Sequence, residues 1–371
     1  MPPITFLQNQ SERTLEWRVQ SMQKPPRNIL PAAECSADAC LKNAYAHTAT
    51  LWQGDFHNAK SVLAAIKKRL GKPAGALPES PAEAFHAHRM RQAQRARLAN
   101  MLLVEIGAEY SLDLPRAPDV RKALHDVYGA PDGAPFLLPL NQLLGFIGAH
   151  EWHKKGIPLP VLNGRIHVPF GVFSPLRGEY LDLIAAAPLP EGCASAFDIG
   201  TGSGVIACLL ARRGLPRISA TDNNPRAIAA ARANVARLGL SEQVKIEETD
   251  LFPAGKADLI VCNPPWLPAK PTSAVESALY DPQSAMLQGF LNGAAAHLNE
   301  GGEVWLIMSD LAEHLGLRAP GTLPALIRNA GLSVSGRHNT APKHAKAHDA
   351  GDPLAFARMK ETTSLYRLRP A

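Results

Sequence analysis

From residue 194 onward the chain alternates short apolar runs with amphipathic ones. Residues 194–199, 217–221, 244–247, 259–262 and 303–308 have the length and β-branched content of buried strands, and 333–338 and 364–369 read as two more. Helical patterns start near Ser203, Asn224, Ser284 and Thr322, between those strands. Strands alternating with helices predict an α/β fold, a doubly wound, mostly parallel sheet of the Rossmann-like kind, with ligands bound at the carboxyl ends of its strands.

The first half follows a different pattern. Helical spacing is expected over 40–47, 61–70, 119–128 and 139–154. The longest helix is expected over 81–106, with Phe85, Met90, Ala93, Leu98, Met101 and Leu102 as its apolar stripe. His88, Arg91, Gln92 and Arg95 fall on the opposite face. Residues 71–81 form a linker rich in Pro and Gly. These patterns predict a mainly helical N-terminal domain over 1–157. A β-hairpin over 158–172 is expected to link it to the α/β domain at 173–371, with Asn163-Gly164 as a two-residue turn inside 161–168. Residues 177–187 read as a helix. The polar stretch 339–363, with Lys343, His344, Lys346 and His348, is too long for a simple hairpin loop, which suits either a functional or a disordered segment.

Composition narrows the class. A chain of 371 residues suits two domains, and 46% hydrophobic with 19% charged residues suits a globular protein. No apolar run reaches the roughly 20 residues of a membrane helix, and the N-terminus shows no signal pattern, so a cytoplasmic location is expected. The net charge of +6 is compatible with nucleic acid or an acidic partner. Cys35 and Cys40 have no second pair to complete a zinc site. The five cysteines are expected to be reduced thiols, and no metal is expected. His57, His86, His150 and His167 lack ligand spacing, and Cys262 reads as a buried strand residue.

Residues 197–204, Phe-Asp-Ile-Gly-Thr-Gly-Ser-Gly, carry the chemistry. Glycines let a ligand approach the backbone of the turn, and the helix that follows offers free N–H donors. Gly202 to Ala207 also fits a dinucleotide fingerprint, with Asp222 at the expected distance of about 20 residues. Against a nicotinamide-dependent dehydrogenase stands Asp198, ahead of the turn, which would repel a pyrophosphate but tolerates an ammonium. Asp222, at a strand end, suits the two hydroxyls of a ribose; its alternative is a helix cap. Asp250 suits an exocyclic amine and the Leu251 backbone the ring beside it, with a plain turn as the alternative.

The most specific run is Asn263, Pro264, Pro265 and Trp266. Two prolines fix the backbone, leaving the Asn263 side-chain oxygen and the Pro264 carbonyl as acceptors for one –NH2 group. Holding both hydrogens frees the nitrogen lone pair for attack, and Trp266 is expected to stack on the planar target.

With Asp198–Gly204, Asp222 and Asp250, this run resembles the class I S-adenosylmethionine-dependent methyltransferases of the small-domain group. That group includes release-factor glutamine and ribosomal RNA N-methyltransferases. The resemblance covers about 169–369, and Tyr280-Asp281-Pro282 with Met286, Leu287 and Gly289 is similar to a segment of the release-factor enzymes. It implies that Asp198, Gly200, Thr201, Gly202, Gly204, Asp222, Asn223, Asp250, Leu251 and Asn263 hold S-adenosyl-L-methionine. Residues 263–266 would then be catalytic, and the acceptor a macromolecule, RNA or protein. The chain departs from the release-factor pattern at residues 174–180, Ser-Pro-Leu-Arg-Gly-Glu-Tyr, and in having Trp at the fourth motif position. The basic face around Arg91 and Arg95 and the Lys343 to His348 stretch tilt the expectation toward an RNA base. A protein glutamine is the alternative, and a non-catalytic cofactor-binding protein is another.

Overall fold

The computed structural model describes residues 2–71, 75–175, 178–272, 276–343, 349 and 351–371. The chain divides into two compact units. One comprises Met1–Pro78 with His86–Glu151, the other Glu79–Phe85 with Trp152–Ala371.

The first unit is built on a six-stranded mixed sheet, which corrects the expectation of a mainly helical domain. Its elements are β1 (Pro3–Gln8), β2 (Ser11–Trp17), β3 (Asn28–Ala32), α1 (Ala37–Tyr45), β4 (Thr48–Trp52), α2 (Phe56–Leu70), α3 (Pro81–Ala99, whose residues through Phe85 belong to the second unit), β5 (Leu102–Ile106), α4 (Arg121–Tyr128), β6 (Phe136–Pro139) and α5 (Leu140–Lys155, whose residues from Trp152 belong to the second unit), in sheet order β1-β2-β6-β5-β4-β3. The β1–β2 hairpin turns on Asn9 and Gln10, both at positive φ (51° and 63°). That is a primed turn made without the glycine that usually marks one. The helix expected over 81–106 stops at Ala99, and Met90 is 69% exposed, so the proposed stripe does not hold. Asn100 is buried and breaks the run: its amide donates to Gln23 Oε1 (2.9 Å) and accepts from Asn141 (2.8 Å). The apolar residues after it form β5, buried on both faces, where periodicity cannot separate strand from helix. Arg91 donates to the carbonyls of Gly75 (3.2 Å) and Ala76 (2.9 Å).

The second unit contains β7 (Ile157–Leu159), β8 (Gly164–Ile166), α6 (Glu179–Ala186), β9 (Ser195–Ile199), α7 (Val205–Arg212), β10 (Arg217–Asp222), α8 (Pro225–Arg237), β11 (Val244–Glu248), β12 (Ala257–Cys262), α9 (Ala285–Ala294), β13 (Leu298–Ser309), α10 (Leu311–His314), α11 (Thr322–Asn329), β14 (Leu332–Thr340), α12 (Ala355–Arg358) and β15 (Thr363–Pro370). Seven strands form one sheet in the order β11-β10-β9-β12-β13-β15-β14. The first five are parallel and β15 runs antiparallel to both its neighbours. Two apolar clusters cover the two faces, one led by α6, α7 and α8, the other by α9 and α11. Every strand expected here is present. The β7–β8 hairpin differs in detail. Its strands pair at Ile157–Ile166, and a 3-10 turn (Pro160–Leu162) closes them, with Asn163 at φ 46°. Arg177, the expected start of α6, and His344, Lys346 and His348 lie outside the described residues; Lys343 pairs with Asp182 at 2.8 Å.

Glu303 locks the antiparallel end of this sheet. It is fully buried, and its carboxylate accepts from Arg367 (2.8 Å), Arg369 (2.7 Å) and the Trp305 indole (3.1 Å). Removing one partner of a buried pair leaves the other charge uncompensated. Glu303→Ala is expected to lower the unfolding free energy by about 3 kcal/mol or more, read from denaturant melts. A change under about 0.5 kcal/mol would mean that the arginines find solvent instead.

Candidate active site

Strand register brings the expected site residues to one level. Ile199 of β9 pairs with Thr221 of β10 on one side and with Cys262 of β12 on the other. Gly200, Asp222 and Asn263 are the next residues on the three strands and leave the sheet side by side. At a strand spacing of about 4.8 Å, Asp222 and Asn263 flank the turn at about 10 Å from each other. Asp222 pairs in turn with Glu248, so Asp250 follows just beyond the same edge.

The turn itself needs its glycines. Gly200, Gly202 and Gly204 have φ of 70°, 57° and 82°, where an L side chain costs about 1–2 kcal/mol. A Cβ on Gly202 would meet nothing within 4 Å, so the turn borders open space there. On Gly204 it would lie 3.2 Å from the Ala231 Cα, so that glycine also admits α8. Thr201 N–H donates to the Thr221 carbonyl (2.8 Å), tying the turn to β10.

Asp198 is fully buried. One carboxylate oxygen accepts from the Thr201 hydroxyl (2.5 Å) and from the Ala207 N–H (3.0 Å), and the other has no partner among the described residues. The structure therefore shows Asp198 fastening the turn from inside the sheet, where the sequence had set it against the ligand. Burial pushes its pKa up to about 7, against the pull of those two hydrogen bonds. Its charge adds to the burial that raises the Cys262 thiol well above its ordinary range.

Asp222 is half-buried, and its carboxylate accepts from the N–H groups of Gly202 (2.9 Å) and Asn224 (2.9 Å). Burial raises its pKa. The cap of α8 is Asn224, which accepts from Arg226 N–H at 3.0 Å, so the capping role does not fall to Asp222. Asn223 donates to Asp250 (3.2 Å), both exposed. The Thr221 hydroxyl donates to the Leu251 carbonyl (2.5 Å) and holds Leu251 at φ 60°. Asp222, Asn223, Asp250 and Leu251 thus form one wall beside the turn.

On the other side, Pro264 is buried and Asn263, Pro265 and Trp266 are half-buried. The Trp266 indole N–H donates to Asn263 Oδ1 at 2.9 Å, and its ring packs against both apolar clusters. Trp266 therefore sets which way the Asn263 amide faces. An amide oxygen has two lone pairs, so one remains after the indole bond. Among the described residues, no group of three or more His, Cys, Asp or Glu could hold a metal ion, and no helix is long and apolar enough to cross a membrane.

Three residues support this edge in ways the sequence did not announce, although Asp281 and Met286 fall in the segment that resembles the release-factor enzymes. Asn234 is fully buried on α8. Its amide nitrogen donates to the carbonyls of His167 (2.9 Å) and Ser203 (3.0 Å), and its oxygen accepts from His167 N–H (2.9 Å), tying the segment after β8 to the glycine turn. Asp281 is buried and accepts from Met286 N–H (3.0 Å) and Leu287 N–H (3.1 Å) at the start of α9. That brings Met286 over the turn, where its methyl would lie 2.6 Å from a Cβ on Gly200. These roles depend on contacts distant in sequence.

Residues 165–319 match the family model of the methyltransferase small domain. Over that stretch the chain is similar to methyltransferase small domains. Curated relatives include release factor glutamine methyltransferases. That of Cereibacter sphaeroides is 36% identical over 172 residues, 40% of this chain and 62% of the relative. That of Gloeobacter violaceus is 38% identical over 204 residues, 52% of this chain and 63% of the relative. The match thus spans just over three fifths of those relatives' length. A solved ribosomal protein L11 methylase from Lactobacillus delbrueckii subsp. bulgaricus is 19% identical, with a TM-score of 0.39, over 59% of this chain and 93% of its own.

Two outcomes follow from this geometry. The folded state holds a proton on Asp198 up to about pH 7, while an ordinary aspartate loses it near 3.8. Between those values the folded state binds the proton more tightly, so this group's contribution to stability falls as pH rises through the window and is level above it. The Tm of Asp198→Asn minus that of wild type is expected to climb from pH 4 to pH 7; a constant difference would contradict the assignment. Asn234→Ala strands buried groups of the turn and the 167 segment, and is expected to cost about 2 kcal/mol or more in a denaturant melt. A loss near that of a surface substitution would remove Asn234 from the turn's support.

Proposed function

We propose that the small domain transfers a methyl group from S-adenosylmethionine to the side-chain amide nitrogen of a protein glutamine. The observation that carries this reading is the common edge of β9, β10 and β12, where Asn263 emerges beside the glycine turn and opposite Asp222. The residues fit such a donor. The turn borders open space at Gly202, and the Asp222 carboxylate, with Asn223 and Asp250 beside it, offers acceptors for hydroxyls and an amine. S-adenosylmethionine supplies an electrophilic methyl group on a sulfonium sulfur.

The chain's own part is positioning. Asn263 Oδ1, turned by Trp266, accepts an N–H of the acceptor amide. An amide nitrogen is a weak nucleophile because its lone pair is shared with the carbonyl. Fixing its hydrogens aims that lone pair along one line and relieves part of the delocalisation as the bond forms. Pro264 and Pro265 keep the segment from relaxing, and burial of Pro264 keeps water from the same acceptors.

The choice of glutamine over an RNA base is supported by relatives named for release-factor glutamine methylation, and by a putative protein N5-glutamine methyltransferase of Methanocaldococcus jannaschii, 33% identical over 123 residues, 31% of this chain and 61% of that protein. Two of the basic residues that had tilted the reading to RNA are engaged within the protein: Arg91 holds the carbonyls of Gly75 and Ala76, and Lys343 pairs with Asp182.

Asn263→Ala separates an enzyme from a protein that only binds the donor. Transfer is expected to drop by about 100-fold or more, since misplacement of the acceptor alone costs that much, while the calorimetric donor affinity stays within about twofold. Unchanged transfer would remove Asn263 from the chemistry.

A further inference from the structure

The loop that begins at Asn263 runs to Asp281, just before α9, and its described arms are stitched together. Leu267 and Tyr280 form a parallel bridge. Leu267 N–H donates to the Leu279 carbonyl (3.4 Å), and Asp281 N–H donates to the Leu267 carbonyl (2.9 Å). The first of these is long, so the backbone alone fixes the two arms weakly. Asp281 then starts α9 and so brings Met286 over Gly200.

A ring from a distant part of the sequence backs this bridge. Phe85 is 2% exposed, and its edge meets Tyr280 with ring centroids 6.4 Å apart and planes at 64°. Its segment, Glu79–Phe85, belongs to the same compact unit as the loop. There it also lies behind Gly316, where a Cβ would be 3.4 Å from the Ala82 nitrogen and 3.7 Å from the Pro81 Cβ. A buried aromatic ring on a segment packed against Gly316 is a firm support, and an edge-to-face pair is directional in a way an aliphatic contact is not.

We propose that Phe85 is a positioning residue for acceptor binding: through Tyr280 it holds the Leu267–Tyr280 bridge in register and so sets where Asn263 and Trp266 present themselves to the acceptor. What the loop binds rests on the function proposed above; that Phe85 orders the loop does not. Donor binding lies on the other side of the turn, so the two halves of the site separate under mutation.

The test compares Phe85→Ala, Phe85→Leu and Tyr280→Phe by amide hydrogen exchange, donor calorimetry and, with a release factor as acceptor, steady-state kinetics. Phe85→Ala is expected to speed exchange at the Leu267 and Asp281 amides and to raise the acceptor KM by up to about tenfold, the worth of one ring pair. The kcat is expected to change less than the KM, and the donor Kd to stay within about twofold. Phe85→Leu restores part of both effects, and Tyr280→Phe, which keeps the ring, leaves exchange at the wild-type rate. Tyr280→Ala removes the same contact from the loop side and carries the test if Phe85→Ala does not fold. Unchanged exchange in a folded Phe85→Ala, or a donor Kd that moves together with the acceptor KM, overturns the proposal. If the wild type methylates no release factor, the exchange arm still decides the role of Phe85, and the failure belongs to the substrate.

Discussion

A buried carboxylate holds the site together. Asp198 sits inside the sheet, yet one of its oxygens binds both the hydroxyl of Thr201 within the turn and the N–H of Ala207 in the helix after it. Strand, turn and helix therefore move as one piece. Burying a charge costs free energy that two hydrogen bonds only partly return, which is why the group titrates near neutrality. Asn234 completes the frame from α8, bonding to the carbonyl of Ser203 and to both backbone groups of His167.

The Asn263 side is built on the same edge with different means. Its rigidity comes from prolines, from an indole that pins the Asn263 amide, and from Asp281, which starts α9. Met286 joins the two sides, because the helix that Asp281 starts presents its methyl to Gly200. In the function proposed above, a donor against the turn and an acceptor on Asn263 would be located by neighbouring strands of one sheet, whose spacing is set by backbone hydrogen bonds and not by side-chain choice.

The small domain was legible because its strands are short apolar runs that end in distinctive residues: Gly200 after β9, Asp222 after β10, Asn263 after β12. The N-terminal sheet was not. Its hairpin turns on Asn9 and Gln10 without a glycine, Pro31 sits inside an edge strand, and β5 follows a long helix with no proline or glycine between them. Only the buried contacts of Asn100 with Gln23 and Asn141 mark where that helix ends. In the site, residue types marked the positions that end side by side at the strand edge, while Asn234, which supports them, looks like an ordinary helix residue. Asp198 was read as facing the ligand because a carboxylate beside a glycine turn has two uses, and only its burial separates them. Trp266 was read as a stacking platform; its N–H bond to Asn263 is a matter of rotamer, which sequence does not carry.

The most direct measurement is to locate the transferred methyl group. The full chain would be incubated with S-adenosylmethionine and a purified release factor, and the product peptides read by mass spectrometry. A single added methyl on a glutamine side-chain amide is the predicted result. A methyl on a carboxylate, a hydroxyl or a ring nitrogen, or one found only when RNA replaces the protein, would contradict the account of Asn263 as the orienter of an amide.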